Sequence, residues 1–93
     1  MKSFYLANCT EYESGWGMRP DGTVLGKSLD EIKAHIKEDE KRGNYEIFWR
    51  YDEPVEVFCS DEVYDDIVHK MTDKGIIWVK DDDLKKFNFL KKI

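Results

Sequence analysis

Residues 60–75 constrain the fold more than any other stretch. Val63, Tyr64, Ile67, Val68 and Met71 recur at i, i+1, i+4, i+5 and i+8. At about 100° per residue these positions share one face of a helix. Asp61, Glu62, Asp65 and Asp66 take the opposite face, with His69 among them. Ser60 precedes the run as an N-cap, and Lys74-Gly75 predicts its end. A helix with one apolar face has to cover a second layer, so the chain must also supply a sheet or a helix to receive it.

Strands are plentiful. Residues 3–8 predict a first strand rich in aromatics. Residues 9–18 show no clear period, with Gly15 and Gly17 flanking Trp16. Arg19-Pro20-Asp21-Gly22 is a turn signal, with proline presetting φ and glycine closing, so short strands at 16–19 and 23–25 predict a small hairpin. Residues 45–51 and 55–59 predict a second hairpin around Asp52-Glu53-Pro54. The register that sets Arg50 opposite Glu56 and Phe48 opposite Phe58 pairs charges and aromatics best. The apolar run at 76–80 predicts a central strand.

A second helix starts at Ser28. Ser28 and Glu31 form a capping box, Lys41 and Arg42 occupy the last turn, and Gly43 predicts the C-terminal cap. Its stripe of Leu29, Ile32 and Ile36 is narrow, which places it on the surface. Residues 84–93 predict a short helix on Leu84 and Phe87, or else an edge strand alternating at Phe87 and Phe89. The order strand, helix, strand, strand, helix, strand predicts one α+β domain spanning 1–93. Its antiparallel sheet would carry two main helices on one face, in a ferredoxin-like (split β-α-β) arrangement with the N-terminal hairpin added.

Charge narrows the functional classes. The net formal charge of −5 argues against generic phosphate-backbone binding. Residues 28–75 hold seven basic and fourteen acidic side chains, whereas 76–93 hold five basic and three acidic ones. No stretch approaches the roughly 20 apolar residues of a membrane span. Without an export signal the expectation is a cytoplasmic protein with Cys9 and Cys59 as free buried thiols.

Motifs for chemistry are weak. Cys9 as a nucleophile would need His35 or His69 as its base, and no spacing links them. Asp65, His69 and Asp73 lie along one helix face without a ligand from a second element. Asp81-Asp82-Asp83 fits an acid-stabilised helix start better than an ion site. The expectation is therefore no enzyme, with no catalytic residue, metal or cofactor.

Binding surfaces are the alternative. Tyr12, Trp16, Met18 and Arg19 gather residue types enriched at interface hot spots. Asp61, Glu62, Asp65 and Asp66 form an acidic ridge suited to a basic partner. These features predict a small acidic protein-binding module. It would act as an inhibitor or regulator on a basic, nucleic-acid-binding surface of its partner, as some bacteriophage-encoded proteins do by analogy. Two other readings compete. One is a single-stranded nucleic-acid module using Phe48, Phe58 and the tail lysines Lys85, Lys86, Lys91 and Lys92. The other is a ligand site or enzyme formed at a homodimer interface.

Overall fold

A computed structural model describes residues 1–15, 17–87 and 89–91. The fold is α+β, an antiparallel sheet with helices packed on it. Its strands are β1 (Lys2–Glu13), β2 (Gly17–Gly26), β3 (Ile47–Tyr51), β4 (Val55–Cys59), β5 (Ile76–Val79) and β6 (Leu90–Lys91). The helices are α1 (Leu29–Glu40), α2 (Asp61–Lys70) and the single turn α3 (Asp81–Leu84), which continues into a 3-10 turn at Lys85–Phe87. The sheet runs β5-β2-β1-β4-β6, and β3 also pairs with β1.

β1 organises everything else. Its twelve residues cover about 40 Å at roughly 3.3 Å per residue, close to the 43 Å long axis of the molecule. The expected first strand covers only half of it. The N-terminal hairpin turns at Ser14 and Gly15, where Gly15 and Gly17 adopt φ of +83° and +87°. Arg19-Pro20-Asp21-Gly22 is therefore no turn. It lies inside β2, where the register passes from Cys9↔Gly22 to Thr10↔Pro20 and leaves Asp21 as the extra residue of a bulge.

The expected hairpin at 45–59 is also replaced. β3 pairs with Cys9–Glu13 and β4 with Lys2–Leu6, both antiparallel to β1. The two therefore lie end to end along one edge of β1, and Arg50 and Glu56 are not cross-strand partners. The cause is the length of β1: its second half offers an open edge that β3 completes. The outer edge of β3 is closed by side chains. Asn44 Oδ1 accepts from the Ile47 amide at 3.1 Å, Arg50 caps the Trp49 carbonyl at 3.1 Å, and Glu40 accepts from the Tyr51 amide at 3.2 Å.

Because side chains alternate along β1, its two faces build two cores. Phe4 and Leu6 join Leu25, Val57, Cys59, Val79 and Ile67 beneath α2. Ala7 joins Val24, Ile76 and Ile32 beneath α1. The two main helices thus cover opposite faces of the sheet, not one face as the amphipathic patterns alone suggested. β1 lies between β2 and β4, so the N-terminal hairpin is the centre of the sheet rather than an addition. The strand order departs from the ferredoxin-like one at that point. β5 is an edge strand, not a central one: Ile76 enters the core beneath α1, Ile77 and Val79 meet the core beneath α2, and Trp78 stays exposed.

Both N-caps form, although the capping box at Ser28 is only half made, with no return bond from the Ser28 amide to the Glu31 carboxylate among the described residues. Ser28 Oγ accepts from the Glu31 amide and Ser60 Oγ from the Val63 amide, each at 3.2 Å. The C-termini differ. α1 ends at Glu40 with Lys41 as its cap, while Gly43 permits close approach: a β-carbon there would stand 2.6 Å from Phe48 Cβ. α2 ends at Lys70, and a separate turn closes on Gly75 at φ +72°, with Thr72 donating to the Ile76 carbonyl at 2.9 Å. At the far end the helical turn comes earlier than expected, over 81–87, and the strand is only the short β6 paired with β4, beyond the expected alternation at Phe87 and Phe89.

Candidate functional site

Two surfaces and one cleft gather the polar and aromatic residues. The first surface is the far half of the β2-β1-β3 ribbon. Tyr12 pairs with Met18 on one side and Phe48 on the other. The Tyr12 and Phe48 rings stack at 5.0 Å with planes 8° apart, and the Arg50 guanidinium lies 4.8 Å from the Phe48 centroid. Tyr12, Met18 and Phe48 belong to neither core cluster, and Met18 is 69% exposed. Sequence position alone missed Phe48 and Arg50 as neighbours of Tyr12, since only the β1–β3 register unites them. Arg19 points to the other face, where its Nε meets Glu11 Oε2 at 2.6 Å and its Nη2 approaches Glu13 at 3.7 Å. Trp16 lies outside the described residues.

The second surface is α2. Asp61, Glu62, Asp65 and Asp66 are all exposed. Among the described residues none of the four enters an ion pair. α2 packs on the face of β1 that carries Phe4 and Leu6, and Tyr12 and Phe48 lie on that same face farther along the strand. The acidic ridge and the aromatic patch therefore sit on one side of the sheet. Phe48 and Phe58 do not. Phe48 pairs with Tyr12 and Phe58 with Ser3, positions of opposite parity in β1, so their rings project from opposite faces. A shared base-stacking platform needs both rings on one face. Of the tail lysines, Lys85 and Lys86 are exposed, and Lys86 meets Asp83 at 3.4 Å. Lys92 and the Lys91 side chain lie outside the described residues.

The cleft lies on the α1 side, between α1, β5 and the turn after α2. It encloses about 430 Å³, and Asp21, Asp39, Arg42, Tyr51, Lys70 and Trp78 are among its walls. The network at its base is well built. The Tyr51 hydroxyl donates to Asp39, Arg42 Nε meets Asp39 Oδ1 at 2.5 Å, and the Arg42 guanidinium lies 4.3 Å from the Trp49 ring. Burial alone would raise the Asp39 carboxyl, but the hydrogen bonds from Tyr51 and Arg42 outweigh it and hold the group below its ordinary range. Burial first, then the Asp39 contact, pushes the Tyr51 phenol up.

Cys9 lies beside Tyr51 rather than an imidazole, and burial pushes its thiol up to about 11. Burial also raises the Cys59 thiol. A thiol held this far above neutrality supplies almost no thiolate, and the thiolate is the reactive form. Both cysteines are unpaired and buried. Ellman's reagent should therefore modify neither in the native protein over minutes and both at once in concentrated urea. Fast labelling of native Cys9 would contradict the burial assigned to it.

Among the described residues no group of three or more His, Cys, Asp and Glu converges as a metal-ligand set, and no helix is long and apolar enough to cross a membrane. His69 is exposed on α2, whereas His35 lines the cleft from α1. Comparison with known protein families, with characterised proteins and with solved structures finds no match to the chain.

Proposed function

We propose that this chain is a non-enzymatic binding module that occupies a basic surface of a partner protein. The proposal extends to an inhibitor or regulator covering a nucleic-acid-binding groove, the mode that some phage-encoded proteins use. One observation carries it: the four exposed carboxylates of α2 have no counterion among the described residues. Asp61 with Asp65, and Glu62 with Asp66, are like-charged i,i+4 pairs. Each such pair destabilises a helix by about 0.2–0.5 kcal/mol. The helix dipole offsets this only in the first turn, at Asp61 and Glu62. A basic partner surface would relieve the repulsion, and the row of carboxylates would stand where phosphates stand in the partner's own ligand. The Tyr12, Phe48 and Met18 patch on the same side supplies apolar contact of the kind that anchors interfaces.

The test is affinity capture from nuclease-treated lysate with the wild-type chain and with the Asp65→Lys, Asp66→Lys double variant, followed by association kinetics on the captured protein. The variant should associate roughly tenfold more slowly at low salt, with a flatter salt dependence. An unchanged association rate would dismiss the ridge as the contact surface. Tight binding of the purified chain to single-stranded oligonucleotides at about 150 mM salt would favour the nucleic-acid reading instead.

A further inference from the structure

Asp21 is the residue that the β1–β2 register skips. A bulge re-aims the side chain of its extra residue, and Asp21 lines the cleft between α1 and β5. Trp78 lines the same cleft and lies across Gly22, the next residue along. A β-carbon on Gly22 would stand 2.5 Å from the indole Cζ2, so only glycine leaves the ring its seat. Trp78 nevertheless stays 42% exposed. The bulge, the bare Gly22 and the register of β5 thus bring a carboxylate and an accessible indole into the walls of one cleft.

That combination recognises a planar cation. The π face attracts a guanidinium, and a carboxylate accepts its forked N–H groups. Among the described residues Asp21 makes no ion pair, so its carboxylate is available. Arg42 does not oppose such a ligand, because Asp39 neutralises it at 2.5 Å and its guanidinium is committed to Trp49. Lys70 also lines the wall and favours an anion. The adjoining cleft, lined by Glu31, Glu38 and Asp73 with Lys74, and the net charge of −5 tip the field toward a cation.

We propose that this cleft receives an arginine side chain of the partner protein, its guanidinium lying on Trp78 and paired with Asp21. The inference rests on the reading that the partner's surface is basic. The experiment is an NMR titration of the full ¹⁵N-labelled chain with N-acetyl-arginine amide. N-acetyl-citrulline amide serves as the neutral isostere, and AMP as the anionic probe.

Arginine amide should give saturable shifts at the Trp78 indole N–H and the Asp21 and Gly22 amides, with a dissociation constant on the order of millimolar. Citrulline amide should bind at least about fivefold more weakly, and Asp21→Asn should cost arginine binding a similar factor. Trp78→Leu should weaken arginine binding similarly, read beside Asp21→Asn because that variant leaves the apolar packing untouched. No saturable shift below about 50 mM arginine amide would overturn the assignment. Equal binding of citrulline amide, or tighter binding of AMP at the same resonances, would do so too. The Asp65→Lys, Asp66→Lys variant should keep its arginine affinity within about twofold, because those residues do not line the cleft. Loss of partner association in that variant therefore reports on the ridge, and loss of arginine binding in Asp21→Asn reports on the cleft.

Discussion

Phe4→Ala is expected to lower stability by about 4 kcal/mol, the largest loss available from one side chain in this chain. Phe4 is fully buried near the N-terminal end of β1, stacks on Tyr64 of α2 at 4.7 Å, and belongs to the core that also holds Leu6, Leu25 and Val57. Truncation removes the transfer energy of the ring and leaves a cavity between a sheet and a helix that cannot fully collapse; buried Phe→Ala changes cost roughly 3–5 kcal/mol for that reason. A chain of this size holds about 5–14 kcal/mol in total. The melting temperature should fall by roughly 16–32 °C, measured by circular dichroism. A fall of only a few degrees would mean that α2 does not pack on β1 as described.

Asp39→Ala should cost about 1–2 kcal/mol at neutral pH, because it leaves the part-buried Tyr51 hydroxyl without its acceptor and removes the screened ion pair with Arg42. The Asp39 side chain is 14% exposed but that of Arg42 is 57% exposed, so solvent screens the ion pair and the Tyr51 hydrogen bond is the better shielded half of the network. The loss should also depend on pH with a definite sign. Folding depresses the Asp39 pKa, so the wild-type advantage is fully present above the unfolded-state value of about 3.9. It disappears as pH falls through the lower folded-state value. Melting curves of wild type and Asp39→Ala should therefore lie apart at pH 7 and converge toward pH 2. A constant gap over that range would show that packing, not the charged hydrogen bonds, is what Asp39 contributes.

Local signals in the sequence were sound where a single element determines them. Ser28 and Ser60 cap their helices, α2 turns Ile67 inward, and β4 occupies Val55–Cys59 as the pattern required. What pairing decides was not legible. Arg19-Pro20-Asp21-Gly22 has the composition of a turn, yet the opposite strand holds it extended and converts it to a bulge. Asp52-Glu53-Pro54 has the composition of a hairpin loop, yet β1 runs far enough to take both flanking strands itself. Each helix shows one apolar face, but nothing within either helix states which side of the sheet it meets. The same holds for the candidate sites. Tyr12 and Met18 do lie together, whereas Arg19 projects to the other face because it is one residue out of phase with Met18. The cleft draws Asp21, Asp39, Tyr51 and Trp78 from four separate elements, and no spacing in the sequence foretells that meeting.

The divided edge of β1 has a mechanical corollary. Paired positions along β3 sum to 60 in residue number and those along β4 to 61, since three residues of one edge pass two of the other. The two short ladders thus engage a common rail out of step, like the offset scales of a vernier. A slip of β1 by one residue would have to break and re-form both ladders together and would turn every β1 side chain to the opposite face, so the long strand is held in register at two places at once.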